Sequence, residues 1–370
     1  MRITFFTFFY MSLALSSPYK EYVHRNNKTQ QLWDDLYRVS FTIKASKTIL
    51  GLQNGYTEGK WGTYDFTKPL STNLPLTDIE RVSQRKIKLI GYDFEEIGDW
   101  NQAQIIEWIK RHDELGGIST LSWHMKNPNI ISPNNSSQTI SPMPIRSIFT
   151  NQVIQQKLNL ELDRLVDFLK KLDGVPIIFR PYHEHNESWF WWGKNHNDVY
   201  WYTHLWKYTI DYLRAQGIDN ILIAYSPNQV TTDYLERYPG QNYVDILGTD
   251  YYFTTDYLGF GLKRWKQDVV TLQQHAKSLD KIPAITEFGN EGLVIENFWT
   301  DYLAWPIQKE GVKLLLQSRP IELEPINFAY VMLWRNAAEI STHYFAPYPR
   351  QRQNNNFFQL LAKNFLIFMK

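Results

Sequence analysis

The chain has 370 residues, no cysteine, and 39 basic against 38 acidic side chains, for a formal charge of +1. That length admits two modest domains or one large α/β barrel. Apolar residues make up 43% and the charges are well mixed, which excludes a disordered chain and a polyanion-binding surface, so no nucleic-acid partner is expected.

The first residues, Met1 to Ser17, carry one positive charge and an apolar run that ends in small residues. This is the pattern of a secretory signal and is too short to span a bilayer. Residues 1–17 are therefore expected to be an export segment and 18–370 one barrel domain. The protein would then be secreted, periplasmic or on the cell surface, with no membrane contact once the segment is removed. A buried N-terminal helix is the alternative reading. The lack of cysteine fits a large monomeric domain that is stable without disulfides.

Residues 20–47, with Trp33, Leu36 and Tyr37, predict a helix that closes the lower end of the barrel. From there, short β-branched runs alternate with segments of helical period, the pattern of repeated βα units. The predicted strands are Thr48 to Gly51, Lys88 to Tyr92, Gly117 to His124, Val175 to Tyr182, Ile221 to Tyr225, Val244 to Asp250, Ile282 to Glu287 and Phe328 to Trp334. Between them, Ile105, Ile106, Trp108 and Ile109 share a helix face, as do Leu158, Leu162, Leu165, Val166 and Leu169, and then Trp265, Val269 and Leu272. Asn127 to Ser147, rich in Pro, Asn and Ser, reads as one long βα loop rather than a domain boundary. Eight such strands predict an α/β fold, a single-domain (β/α)8 TIM barrel.

Polar groups crowd the carboxyl ends of these strands: Trp123-His124, Arg180-Pro181-Tyr182-His183-Glu184, Asp250-Tyr251-Tyr252, Glu287 and Trp334-Arg335. In a TIM barrel that rim is where reacting groups gather. Two rim carboxylates directly follow apolar strands, Glu184 after the fourth and Glu287 after the seventh. Two facing carboxyl groups can protonate a leaving oxygen and stabilise an oxocarbenium-like centre, which is what glycosidic hydrolysis requires. Aromatic residues make up 16% of the chain, and the cluster Trp189-Phe190-Trp191-Trp192 sits just beyond Glu184. Its rings start a buried helix or stack on the apolar faces of sugars.

The string Arg180-Pro-Tyr-His-Glu-His-Asn-Glu-Ser-Trp-Phe-Trp-Trp-Gly193 resembles the acid/base signature of glycoside hydrolase family 26. So, in the same order, do Gly116 to Met125 with Asn127-Pro128, Val244 to Tyr252, Thr286-Glu287-Phe288-Gly289 and Met332 to Asn336. The resemblance runs from about residue 49 onward. It implies Glu184 as general acid/base and Glu287 as nucleophile, with Tyr252 hydrogen-bonded to the nucleophile. His124, His183, Trp189 and Trp334 would shape the subsite of the attacked sugar, and Arg180, Trp192 and Arg335 join the substrate-facing set.

Glu184 should be kept protonated by apolar surroundings and by the charge of Glu287. His183 and His185 flank it without the helical spacing of a zinc site, and on a strand the glutamate would point away from both, so neither metal nor cofactor is expected. His185 and Glu187 stand where members of the family commonly have methionine and glycine. Leu52-Gln53 stands where a histidine-containing sequence is frequent.

The implied activity is retaining, endo-acting hydrolysis of β-1,4-mannosidic bonds in mannan, glucomannan or galactomannan, with the polysaccharide as partner. A β-1,3-xylanase or mixed-linkage β-glucanase of the same fold is the nearest alternative. A non-catalytic carbohydrate-binding barrel is the alternative of another class.

Overall fold

The computed structural model describes residues 25–41, 47–255, 258–304, 312–316, 319–323 and 326–369. The expected export segment, residues 1–17, lies outside them. Eight parallel strands form the barrel: β1 Thr48–Gln53, β2 Leu89–Asp93, β3 Ile118–Ser122, β4 Ile177–Arg180, β5 Ile221–Tyr225, β6 Ile246–Phe253, β7 Ile282–Asn290 and β8 Tyr330–Leu333. Each pairs with the next, and β8 pairs back with β1 from Ile49↔Tyr330 to Leu52↔Leu333, which closes the sheet. All eight predicted strands are present. β3, β4 and β8 are shorter than expected, and β6 and β7 run on to Phe253 and Asn290.

The helices are α1 Asn27–Phe41, α2 Asp78–Ser83, α3 Gln102–Glu114, α4 Pro144–Thr150, α5 Gln152–Lys171, α6 Val199–Ala215, α7 Leu258–Ser278 and α8 Asn354–Ala362. In α5 the periodic Leu158, Leu162, Leu165, Val166 and Leu169 are all buried. The Asn151 side chain caps that helix by accepting from the Val153 N–H at 3.0 Å, and Lys170 and Lys171 complement its dipole in the last turn. The segment 127–143 is the long loop expected between β3 and α4.

Alternation along the strands sorts side chains into two cores. Ile49, Leu89, Ile118, Ile178, Leu222, Ile246, Ile282 and Met332 point into the barrel and pack together, with Leu36 of α1 against them. Helix α1 thus closes the lower end, as its sequence predicts. The intervening Leu50, Ile90, Ile177, Phe179, Leu247 and Ile285 point outward to the helices. Among the described residues, seven tryptophans, including Trp108, Trp206 and Trp265, are fully buried. Each contributes on the order of 3 kcal/mol by leaving water, so much of the aromatic excess serves packing. Among the described residues, no helix is long and apolar enough to cross a membrane.

Candidate active site

Carrying the inward parity two to six residues beyond the packed layer brings a set of polar groups to the carboxyl rim. From β2 comes Asp93, from β3 Ser122 and His124, from β4 Arg180, from β5 Ser226, and from β6 Asp250 and Tyr252. Strand β7 breaks the rule. Ile282 and Ala284 face inward, so strict alternation would turn Glu287 outward to the helices. Instead the β6 pairing steps from Thr249↔Ile285 to Asp250↔Glu287, and β8 steps from Val331↔Ile285 to Leu333↔Phe288. One extra residue, Thr286, is inserted as a β-bulge, a device that re-aims a side chain beside a functional site. Thr286 and Glu287 now share the inner face. The Thr286 hydroxyl donates to Asp250 Oδ1 at 2.7 Å. Gly248 makes room for it, since a Cβ there would stand 2.4 Å from Thr286 Cγ2.

Glu184 arrives by a different route. Strand β4 ends at Arg180, and the backbone then turns through left-handed conformations at Tyr182 (φ 47°) and Glu184 (φ 52°). Strain of this kind persists only where neighbours hold it. Here the Glu184 N–H donates to the Ser226 carbonyl at 2.8 Å, and the Asn186 side chain exchanges two 2.8 Å hydrogen bonds with the Asn228 backbone. The loop after β4 is thereby bolted to the loop after β5. Residues 183–185 are consequently in a turn and not on a strand, contrary to the sequence expectation. His183 lies on the rim beside His124, whereas His185 is buried between Tyr202 and Tyr225.

One carboxylate oxygen from each of Glu184, Asp250 and Glu287 lies within 4.8 Å of the others. Arg180 donates to Asp250 at 2.8 Å and also to Glu287, and Tyr252 donates its hydroxyl to the other Glu287 oxygen. Burial and then the charge of Glu287 raise the Tyr252 phenol, so it stays a donor. Three carboxyls around one guanidinium cannot all be charged cheaply. Burial, followed by the repulsion of Glu287, pushes Glu184 up to about 7, against the 2.8 Å hydrogen bond from Trp189 Nε1 and the charges of Arg180 and His124. Burial likewise raises Asp250, with Arg180 opposing and Glu287 reinforcing. The two glutamates therefore differ in setting: Glu287 holds two strong donors and Glu184 one indole.

The same three carboxylates form the one group among the described residues that could ligate a metal ion. Arg180 already supplies a cation to two of them, so an ion there would have to compete with its guanidinium.

Around this pair, Asp93 accepts from Ser122 at 2.7 Å and from His124 Nδ1 at 2.6 Å. Burial opposes charge on the His124 imidazole, but the charge and hydrogen bond of Asp93, with Glu287 behind, hold its pKa above the ordinary value. Its other nitrogen lies 3.2 Å from His183 Nε2, and burial followed by the charge of Arg180 keeps His183 neutral. Both His124 nitrogens are thus engaged, so a hydrogen bond from this ring to a sugar hydroxyl would have to displace one of these contacts. Trp334 sets its ring 6.2 Å from that of His124.

Several expected substrate contacts are corrected. Trp192 is fully buried: its Nε1 donates to the His183 carbonyl at 2.7 Å and its ring stacks on Phe190 at 4.6 Å, so it builds the loop and meets no ligand. Trp191, also fully buried, donates to the Met125 carbonyl at 2.8 Å and ties down the loop after β3. Of the aromatic cluster only Trp189, 39% exposed, presents a ring to solvent. Arg180 and His183 are buried to 3% and 1% exposure, with Arg180 hydrogen-bonded to Glu287 and His183 Nε2 3.2 Å from His124 Nε2. Arg335 lies on the rim with both oxygens of Glu58, at 2.6 and 2.7 Å, as its partners. Glu187 is half-buried and accepts from Asn228 at 2.9 Å.

Sequence reasoning missed Asp93, whose signal was a carboxylate one residue beyond the predicted end of β2. It also gave no role to Asp250 or Thr286.

Comparison with known proteins matches residues 26–305 to the family model of glycosyl hydrolase family 26. A mannan endo-1,4-beta-mannosidase of Bifidobacterium adolescentis is 36% identical over 205 residues, covering 52% of this chain and 20% of the relative. One from Bacillus subtilis is 36% identical over 167 residues, covering 42% and 45%. The chain thus spans less than half the length of these curated relatives. The structure of a GH26 beta-mannanase from Bacteroides ovatus superposes with a TM-score of 0.76 at 29% identity, covering 93% of this chain and 96% of that one. The chain belongs to glycosyl hydrolase family 26.

Proposed function

We propose that this chain is a retaining, endo-acting hydrolase of β-1,4-mannosidic bonds in mannan, glucomannan or galactomannan. The observation that carries the reading is the pair Glu184 and Glu287, one rim oxygen of each within 4.8 Å of the other. Retaining glycosidases hold their two carboxyls roughly 5–5.5 Å apart, whereas inverting enzymes leave room for a water. In the first step Glu287 attacks the anomeric carbon while Glu184 gives its proton to the departing oxygen. In the second, Glu184 takes a proton from water as that water displaces Glu287. A carboxyl pushed up to about 7 is suited to both tasks near neutral pH. Arg180 and Tyr252 hydrogen-bond the nucleophile and keep it aligned. The choice of mannan rests on the names of the two curated relatives and the solved structure.

The test is a time course of product anomers by NMR on mannan, glucomannan, galactomannan, β-1,3-xylan and lichenan. The reading expects β-anomers first and internal cleavage of the mannans. Initial α-anomers, or cleavage confined to xylan or lichenan, would overturn it.

We further propose that residues 1–17 direct export and are removed, and that residues 18–370 act as a monomeric catalytic unit. N-terminal sequencing of protein recovered outside the producing cytoplasm, with its mass in solution, tests both statements. An intact Met1 or a dimer would contradict them.

A further inference from the structure

The loop that carries Trp189 is closed on itself. The Lys194 N–H donates to the Glu187 carbonyl and the Gly193 N–H to the Phe190 carbonyl, both at 2.9 Å. Only glycine fits at 193, since a Cβ there would stand 2.2 Å from the Glu187 carbonyl oxygen. Trp191 and Trp192 are buried behind this loop, and Trp189 donates to Glu184 at 2.8 Å. The place of that indole therefore depends on what holds the base of the loop, at residues 194–197.

Two contacts cross from the base to the loop after β5. Lys194 reaches Asp233 and, at 3.6 Å, Glu236, but its side chain is 41% exposed, and an ion pair so open to water contributes little. Arg237 is 3% exposed. Its Nη2 donates to the carbonyl of Lys194 at 3.2 Å and to that of Asn197. The guanidinium lies over the ring of Tyr202 on α6, 5.3 Å from its centroid. Nε and Nη1 find no acceptor among the described residues, and Arg237 forms no ion pair among them. A cation buried with so few partners destabilises a fold, so its two carbonyl contacts mark a position held for another reason.

Arg237 touches neither Glu184 nor the groups that face it. Those are Glu287 from β7, Asp250 and Tyr252 from β6, Arg180 from β4, His124 beyond β3, and Trp189. The imidazole of His185, next in sequence to Glu184, is kept neutral mainly by burial and then by the Arg237 charge. Its route to the reacting groups is the base of the loop.

We propose that Arg237 is a positioning residue for the acid/base step: by holding the carbonyls of Lys194 and Asn197 it fixes the Trp189 indole against Glu184. This rests on the proposed role of Glu184 and adds a residue from the loop after β5 to the machinery that tunes it.

The test is the pH profile of kcat/KM on a soluble manno-oligosaccharide for the parent chain, Trp189→Phe, Arg237→Met and the double variant. Glu184 must be protonated in the first step, so the alkaline limb reports its ionisation. In Arg237→Met that limb is expected to move up by about half a unit, in the same direction as in Trp189→Phe. In the double variant it is expected to stand where Trp189→Phe alone places it, because the contact that Arg237 secures is already gone. Arg237→Lys keeps the charge without the planar fork, and a smaller shift of the same sign is expected. If Arg237→Met does not fold, Arg237→Lys carries the same comparison, alone and combined with Trp189→Phe. A limb that stays fixed in the Arg237 variants, or shifts that add in the double variant, would overturn the role, the second by showing that the charge acts on Glu184 directly. A fixed limb in Trp189→Phe would instead overturn the assignment of Glu184 and the role of Arg237 with it, so the two failures are distinguishable.

Discussion

Replacing Trp189 with phenylalanine removes one N–H and keeps an aromatic ring. That N–H donates to Glu184 Oε2 at 2.8 Å and is the hydrogen bond that lowers the Glu184 pKa against burial and the charge of Glu287. A hydrogen bond to a charged group contributes about 1.5–3 kcal/mol. Trp189 is 39% exposed, so water substitutes for part of it, and about 1 kcal/mol is the fitting figure. At 1.36 kcal/mol per pH unit this raises the Glu184 pKa by about 0.7 unit. The sign follows from the role. Glu184 must be protonated when the first bond breaks, so the alkaline limb of kcat/KM reports its ionisation in the free enzyme. In Trp189→Phe that limb moves up by about 0.7 unit, while the acid limb stays in place. The assay is a pH profile of kcat/KM on a soluble manno-oligosaccharide, from below pH 4 to above pH 9. An alkaline limb that stays fixed or moves down would refute the assignment of Glu184 as the acid and of Trp189 as the group that tunes it.

Tyr252→Phe removes one of two donors to Glu287, and kcat should fall by about tenfold to a hundredfold with little change in unfolding midpoint; unchanged turnover would remove Tyr252 from the reaction. Gly248→Ala forces a methyl to 2.4 Å from Thr286, so chemical unfolding should register a loss of about 1–3 kcal/mol together with reduced kcat, because the bulge that aims Glu287 shifts. Asp93 is fully buried and, although burial alone would raise it, the charge and hydrogen bond of His124 lower it from 3.8 to about 2. A depressed carboxylate stabilises the fold above its unfolded pKa and loses that contribution as pH falls. Stability measured by urea unfolding should therefore drop by on the order of 2 kcal/mol between about pH 4 and pH 2, and Asp93→Asn should flatten that part of the curve.

The barrel was legible because its strands are short apolar runs and its helices keep a regular face, signals that survive without knowledge of neighbours. Glu184 and Glu287 were legible as carboxylates placed directly after such runs. Their aim was not. Alternation read strictly from Ile282 and Ala284 sends Glu287 outward, and only the inter-strand register reveals the insertion of Thr286. The left-handed turns at Tyr182 and Glu184 are equally invisible in a sequence where neither residue is glycine. They depend on contacts with Ser226 and Asn228, about 40 residues downstream. Trp192 misled for a related reason: adjacency to a catalytic motif does not distinguish a ring facing the groove from one packed behind it. Asp93 escaped because its partner His124 is remote in sequence, and a lone aspartate at a strand end resembles many surface carboxylates.

The reading turns on Glu287 forming a bond to sugar. Incubation with a 2-deoxy-2-fluoro-β-mannobioside bearing an activated leaving group slows the second step, and peptide mapping by mass spectrometry then locates the attached sugar. The account predicts one adduct, on the peptide containing Thr286-Glu287-Phe288, with fragmentation placing it on Glu287. An adduct on Glu184 or Asp250, or turnover with no covalent species and initial release of the α-anomer, would contradict it.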